Sequence, residues 1–476
     1  MKVVYGLVSA LVLLTGCQSA NDASTTKDET QKEAPAAMSL NVPVHYETLD
    51  NGLKVVLSPD DTAPIVAVGV YYNIGFRIEP KDRTGFAHLF EHMMFQGSQN
   101  LPKGEFDKLV NGNGGINNGS TRFDFTNYFE ILPSHVLETF VWVEADRMRG
   151  LNITQAELTN QQGVVKNEVK VNVLNQPYGG FPWLDLPQHA FDNWYNSHNF
   201  YGELDDLDAA TLDDVDAFFD RYYTPNNAVF VVVGDLDVAQ TMDWVRKYFG
   251  DIPRGDVPAL PDISEQPQTA QRKASRVDPL APKPAYSVAY RMPPKNSDAY
   301  YAMGLIDQIL LQGDDSLLHQ ALVEEQGITS NVSGGINLLG NMFNYNGPML
   351  WSASLIHEES VDEKAITRVI DDAVSVLQNK PVSPATLARA KTKLRSSLYD
   401  TIDGFYGVGK LDLLATFALF DDAPSRINDI EAAFERITPA MIQQTANTYL
   451  VPEKRTLFTV LTDSQRSTEN TQGEAQ

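Results

Sequence analysis

Residues 85–98 read GFAHLFEHMMFQGS. His88 and His92 stand four apart, with Glu91 between them. Residues at i and i+4 share one face of an α-helix, so both rings can turn toward a single ion. Glu91, one residue before the second histidine, points near that face and can handle protons there. Phe86, Leu89, Phe90, Met93 and Met94 give such a helix its apolar side. The stretch is therefore either one wall of a metal site or an ordinary helix carrying polar residues. The spacing permits both.

A zinc hydrolase needs three protein ligands and an open position for water. The ion brings the pKa of that water toward neutrality, and a nearby carboxylate takes its proton. His88 and His92 offer two ligands in the order H-x-x-E-H, the inverse of the commoner zinc-protease motif, with Glu91 as the natural base. A third ligand must come from elsewhere. Glu168, in VVKNEVK, lies 76 residues beyond His92.

The 476 residues exceed one comfortable core, which favours two or more domains. Apolar residues at 43% and charged residues at 21% describe a globular chain, not a disordered or fibrous one. A net charge of −25 repels phosphate backbones and anionic membrane surfaces, which argues against nucleic-acid binding. It would tolerate basic peptides.

The first residues, MKVVYGLVSALVLLTGCQSAND, carry a targeting pattern. Lys2 is a positive n-region, and Val3 to Leu14 form an apolar stretch too short to span a bilayer comfortably. Residues 1–16 thus read as a signal peptide. Leu14-Thr15-Gly16-Cys17 resembles the bacterial lipobox, in which the cysteine is lipidated after cleavage; the alternative is a plain signal peptide with a chance cysteine. Cys17 is the chain's single cysteine, so no internal disulfide can form. Gln18, not aspartate, follows it, which favours the outer membrane over inner-membrane retention. The expectation is a lipoprotein of the bacterial cell envelope facing the periplasm, touching membrane only through its lipid. Residues 17–42, poor in large apolar side chains, read as a flexible tether, and 464–476 as a disordered tail.

Between these ends the order of elements repeats. Asp50-Asn51-Gly52 is a hairpin turn between β-type runs, and the Gly85–Ser98 helix follows. FDFTNYFEIL reads as a strand, VLETFVWVEADRMRGL and LTNQQGVVKNEVKVNVL as helices, and NAVFVVVGDLD as a buried strand. VAQTMDWVRKYFGDI is a helix ended by Gly250. Residues 255–270, rich in Pro, Asp and Gln, read as a linker between a catalytic domain at 43–254 and a second domain at 271–463. After the linker come a strand (AYSVAYRM), a helix (DAYYAMGLIDQILL), a Gly-rich stretch, further strands and helices, and a last strand RTLFTVLTD. This is the pattern of a duplicated α+β unit.

HLFEHMMFQGS, followed at this distance by NQQGVVKNE, resembles the pitrilysin-type (M16) zinc metallopeptidases, nearest the processing-peptidase branch. GGINNGSTRFDFTNY and YYTPNNAVFVVVGDLD match further segments, and the resemblance covers nearly all of residues 44–463. It implies an α+β fold of two homologous α/β-roll domains packed as a clam-like half-chamber. It also implies one Zn2+ per chain on His88, His92 and Glu168, with Glu91 as catalytic base. Asn118 falls where the family has an asparagine beside the substrate backbone, though a turn-forming role fits it equally. Substrates would be peptides or unfolded segments bound as an added strand.

The sequence departs from the family in two places. Some branches carry a second acid seven residues before the third ligand; here that residue is Gln161, which can hydrogen-bond but adds no charge. Many members also carry, in the second domain, an arginine and a tyrosine seven residues later that support the transition state. Here LVEEQGITSNV puts Val323 and Ser330 at those positions, and neither can replace the missing pair. Arg395 and Tyr399 could stand in but fall on a helix that reads as surface. The expectation is a zinc-bearing endopeptidase subunit completed by a second M16-family subunit in a heterodimer. The alternative is a non-catalytic scaffold or binding subunit of the same fold, which would more often have lost its ligands. A metal-storage lipoprotein predicts histidine-rich tracts, and the 8 histidines here form none.

Overall fold

AVFVVVG at Ala228–Gly234 is apolar at every position but the last because both of its faces are covered. It is the sixth strand of a sheet built from β1 (His45–Thr48), β2 (Lys54–Pro59), β3 (Ile65–Tyr72), β4 (Ile116–Thr121), β5 (Thr126–Pro133) and β6 (Ala228–Gly234). The order is β1-β2-β6-β3-β5-β4, with β2 and β6 parallel and all other pairs antiparallel. Phe230 and Val232 pack on one side with Phe86, Leu89, Phe90 and Met93. Val229, Val231 and Val233 pack on the other with Leu411 and Leu414 from the second half of the chain. The turn after β1 is held by Asn51, whose side-chain amide donates to the carbonyls of Phe249 and Ile252.

The structure is a computed structural model describing residues 40–465. The signal stretch, Cys17 and most of the tether lie outside the described residues, as does the tail beyond residue 465. Val42 is buried and bonded through its backbone to the Asn428 amide, so packing already exists within the segment read as tether. No helix among the described residues is long and apolar enough to cross a membrane.

Five helices carry the site, its counterpart in the second half of the chain, and the packing against β6. They are α1 (Phe86–Met93), α2 (Gln155–Val169), α3 (Asp298–Leu310), α4 (Pro384–Asp403) and α5 (Val408–Asp421). The second sheet comprises β7 (Arg272–Val277), β8 (Ala285–Arg291), β9 (Val332–Ile336), β10 (Leu350–Ile356) and β11 (Arg455–Leu461), in the order β7-β11-β8-β10-β9. Its β7–β11 pair is parallel and the rest antiparallel, so it repeats the β2-β6-β3-β5-β4 part of the first sheet strand for strand. Between Phe249 and Arg272 there is neither helix nor strand.

The repeat extends to the helices. HLFEHMMFQG at residues 88–97 has its counterpart in GLIDQILLQG at residues 304–313, which places Gly304, Asp307 and Gln308 opposite His88, Glu91 and His92. Ser397 stands 14 residues beyond the Ser383 cap of α4, as Glu168 stands 14 beyond the Thr154 cap of α2. These replacements line a cavity of about 350 Å³, where Asp307 accepts the Trp351 indole N–H at 2.7 Å. The second unit thus keeps the architecture without the imidazoles.

A buried ion pair of the first unit is hydrogen-bonded to the backbone of the second. Arg77 donates to Asp124 at 2.6 Å, and the other Asp124 oxygen accepts the backbone N–H groups of Asn346 and Gly347 from the second unit. LTNQQGVVKNEVKVNVL differs from a uniform helix: α2 ends at Val169, and Lys170–Leu174 is a wider π-type turn.

Candidate metal centre

Helix α1 starts at Gly85, and its first turn is held from outside. The Glu79 carboxylate accepts Gly85 N–H at 2.9 Å and Ala87 N–H at 2.6 Å, a capping arrangement that complements the positive end of the helix. His88 and His92 then project from one face, their ring centroids 5.0 Å apart and their planes near perpendicular. Glu168 comes from the last turn of α2, in contact with the same face. Its carboxylate oxygens lie 3.6 Å from His88 Nε2 and 3.4 Å from His92 Nε2.

The ligand atoms of these three residues all fall within 4.8 Å of one another. Two imidazoles and one carboxylate at this separation suit a zinc ion with an open fourth position. Burial, followed by the nearby His92, pushes His88 down to about 4, which keeps it in the neutral form that ligates a metal. Burial also works against charge on His92, but the Glu168 and Glu91 carboxylates outweigh it and hold His92 above the usual histidine range. The His92 hydrogen bond holds Glu168 below the ordinary carboxylate value.

Glu91 is nearly buried, and burial raises it above the usual carboxylate range. Thr121 on β4 opposes that shift by donating its hydroxyl to Glu91 Oε2 at 2.7 Å. β4 approaches α1 closely here. A Cβ on Gly119 would lie 3.1 Å from Glu91 Cγ, so the lack of a side chain lets the strand sit against Glu91. Gln161 is buried and within hydrogen-bonding reach of His92.

The structure thus brings His88, Glu91, His92 and Glu168 into one cluster. Asn118 sits on the same edge strand but is exposed, and its side-chain oxygen accepts the N–H of Gly119. Val323 falls in a π-type turn at Gln320–Glu325, and Ser330 is exposed. Arg395 and Tyr399 are engaged with Glu435 and Glu431 on the second unit. Sequence reasoning missed Glu79, Thr121, Asn172 and Tyr201. Asn172 donates to Glu168 at 3.5 Å, and the Tyr201 ring meets the His88 ring at 5.4 Å. Asn172 stands four residues beyond Glu168, a helical spacing, whereas Glu79, Thr121 and Tyr201 have no spacing from the motif that would have singled them out.

Two family models match the chain: "Insulinase (Peptidase family M16)" over residues 54–178 and "Peptidase M16 inactive domain" over residues 209–394. Among curated proteins, the zinc protease PqqE of Helicobacter pylori is 31% identical over 290 residues, covering 60% of this chain and 64% of that protein. The human mitochondrial-processing peptidase subunit beta is 25% identical over 233 residues, covering 48% and 47%. These matches span less than two thirds of the relatives' own length. Among solved structures, a protease from Helicobacter pylori superposes with a TM-score of 0.81 at 24% identity, covering 88% of this chain and all of that one. The fold is the two-domain α+β fold of these peptidases, the matched models fall on both of its units, and the chain belongs to the M16 peptidase family.

Proposed function

We propose that the chain is the metal-bearing subunit of a zinc-dependent endopeptidase. The observation that carries this reading is the convergence of His88, His92 and Glu168 with a partly buried carboxylate, Glu91, beside them. The three ligands would hold one Zn2+ per chain. When bound, the ion supplies Lewis acidity that lowers the pKa of water and polarises a carbonyl.

The protein's own residues do the rest. Glu91 takes the proton of the attacking water and returns it to the departing amine, and its raised proton affinity suits both transfers. Thr121 keeps one Glu91 oxygen occupied, which leaves the other to take the proton. β4 is the edge of its sheet, and its outer backbone groups can pair with an extended peptide, with Asn118 contacting that peptide's backbone. Peptides or unfolded segments fit this mode, because their backbone can extend along the strand with its N–H and C=O groups unpaired.

Charge-assisted donors are absent at Val323 and Ser330, which supports a heterodimer with a second M16-family subunit contributing an arginine and a tyrosine. The signal and lipobox patterns support an envelope lipoprotein facing the periplasm, anchored through Cys17 to the outer membrane. A non-catalytic binding subunit is the second reading, favoured by the same two positions. Zinc content and peptide cleavage, measured for wild type and Glu91→Gln with and without an M16 partner, separate the readings. Zinc without cleavage in every combination would leave only the binding subunit, and strong cleavage by the isolated chain would remove the obligate partner.

A further inference from the structure

Tyr201 stands beside the metal triad at His88. Its ring meets the His88 ring edge-on, with centroids 5.4 Å apart, and packs against Trp183 at 5.5 Å. The backbone that carries it is fixed to the start of α1. A Cβ on Gly202 would fall 2.4 Å from Gly85 Cα, so the two glycines touch backbone to backbone. Glu203 N–H donates to Thr84 Oγ1 at 2.9 Å, and Tyr201 N–H donates to Asn199 at 3.2 Å. The side chain is therefore delivered to the site by a rigid junction rather than a free loop.

The phenol head lies at the Asn172 amide, which also donates to Glu168. A phenol with an ordinary pKa of about 10 is protonated near neutral pH, so the hydroxyl can donate. Two other phenols, Tyr128 and Tyr223, also lie against α1 at Phe90. Tyr128 and Tyr223 are fully buried behind α1 and hydrogen-bonded to each other. Tyr201 is the partly exposed one, and it flanks the ligands themselves.

We infer that Tyr201 is a catalytic residue of this chain, donating its phenolic hydrogen bond to the scissile carbonyl oxygen as negative charge builds there. The assignment rests on the peptidase reading of the site. Glu91 lies against β4 and His88 lies against Tyr201, so a peptide strand on β4 that reaches the triad meets both the carboxylate and the phenol. As the water oxygen bonds to the carbonyl carbon, its proton passes to Glu91 and the C=O π pair moves onto oxygen. The Tyr201 O–H donates to that oxygen without transferring its proton. When the C–N bond breaks, the electron pair leaves with nitrogen, which takes the proton back from Glu91. The phenol gives this chain one oxyanion donor of its own despite Val323 and Ser330.

Tyr201→Phe keeps the ring on His88 and removes only the hydroxyl. The test measures kcat and KM on an unstructured fluorogenic peptide, zinc per chain, and affinity for a phosphinic peptide that imitates the tetrahedral state, with the M16 partner present. The expected result is a kcat about 10²-fold lower, with KM and zinc content unchanged and phosphinic-peptide affinity falling in parallel with kcat/KM. Wild-type kcat and wild-type phosphinic-peptide affinity in Tyr201→Phe would overturn the assignment while leaving the peptidase reading intact. Loss of zinc in proportion to activity would also overturn it, making Tyr201 a positioning residue for Glu168. A wild-type chain that holds zinc but neither cleaves peptide nor binds the phosphinic peptide would overturn the peptidase reading, and this assignment with it.

Discussion

Thr121 donates its hydroxyl to Glu91 across the contact between β4 and α1, at 2.7 Å. The strand that would carry the substrate thus also sets the proton affinity of the base. The bond favours the ionised carboxylate and lowers the pKa of Glu91, against the larger effect of burial. In Thr121→Val the opposing influence is gone, so Glu91 binds its proton more tightly. A general base must be ionised to act, so the acid limb of the kcat/KM profile is expected to move to higher pH. An unmoved limb in a pH–rate series would show that Glu91 is not the titrating base.

Glu91→Gln retains shape and a hydrogen-bond acceptor for Thr121 but cannot accept the water's proton. Cleavage is expected to fall by about 10²–10⁴-fold, the usual contribution of a positioned acid–base group. Zinc content should match wild type, because Glu91 is not among the three converging ligands. Peptide turnover and metal analysis on the same sample check both halves.

Removing the metal should destabilise the fold measurably. A ligand at 100 times its Kd stabilises the folded state by about 2.7 kcal/mol, so a chelator should lower the melting temperature of wild type. His88→Ala and Glu168→Gln should melt at the same temperature with or without chelator. Calorimetry with and without added zinc reads the difference directly.

Asp124→Ala leaves the Arg77 guanidinium buried without its charge partner and frees two backbone N–H groups of the second unit. Breaking a buried pair from one side costs about 3–5 kcal/mol. Urea denaturation should show that loss, with a separate early transition if the two units then unfold independently.

Glu79→Ala removes the carboxylate that satisfies the first N–H groups of α1. Loss of a helix cap costs about 0.5–2 kcal/mol. Because this helix carries both histidines, zinc affinity should weaken along with stability, which competition against a chromophoric chelator measures.

Much of this protein was legible in the chain itself. The helix carrying His88, Glu91 and His92 follows from local periodicity, and the valine run of β6 marks a strand covered on both faces. The repeated order of elements signalled the duplication, which the two sheets share strand for strand. Glu168 was reachable only through resemblance, since a separation of 76 residues has no local geometric meaning.

Other relationships had no sequence signature. Thr121, Tyr201 and Glu79 meet α1 because β-pairing, the Gly85–Gly202 contact and the Glu79 cap bring separate segments together, and Asn172 reaches Glu168 from the π-type turn after α2. The same holds for Arg77 and Asp124, which are 47 residues apart and joined to the second unit through its backbone. The sequence by itself determined the ligand face and the duplicated fold, because side-chain direction along a helix or strand follows from residue spacing within the element. Only the tertiary structure decided which groups meet Glu91, Glu168 and His88. Those contacts form between elements whose register no local pattern encodes.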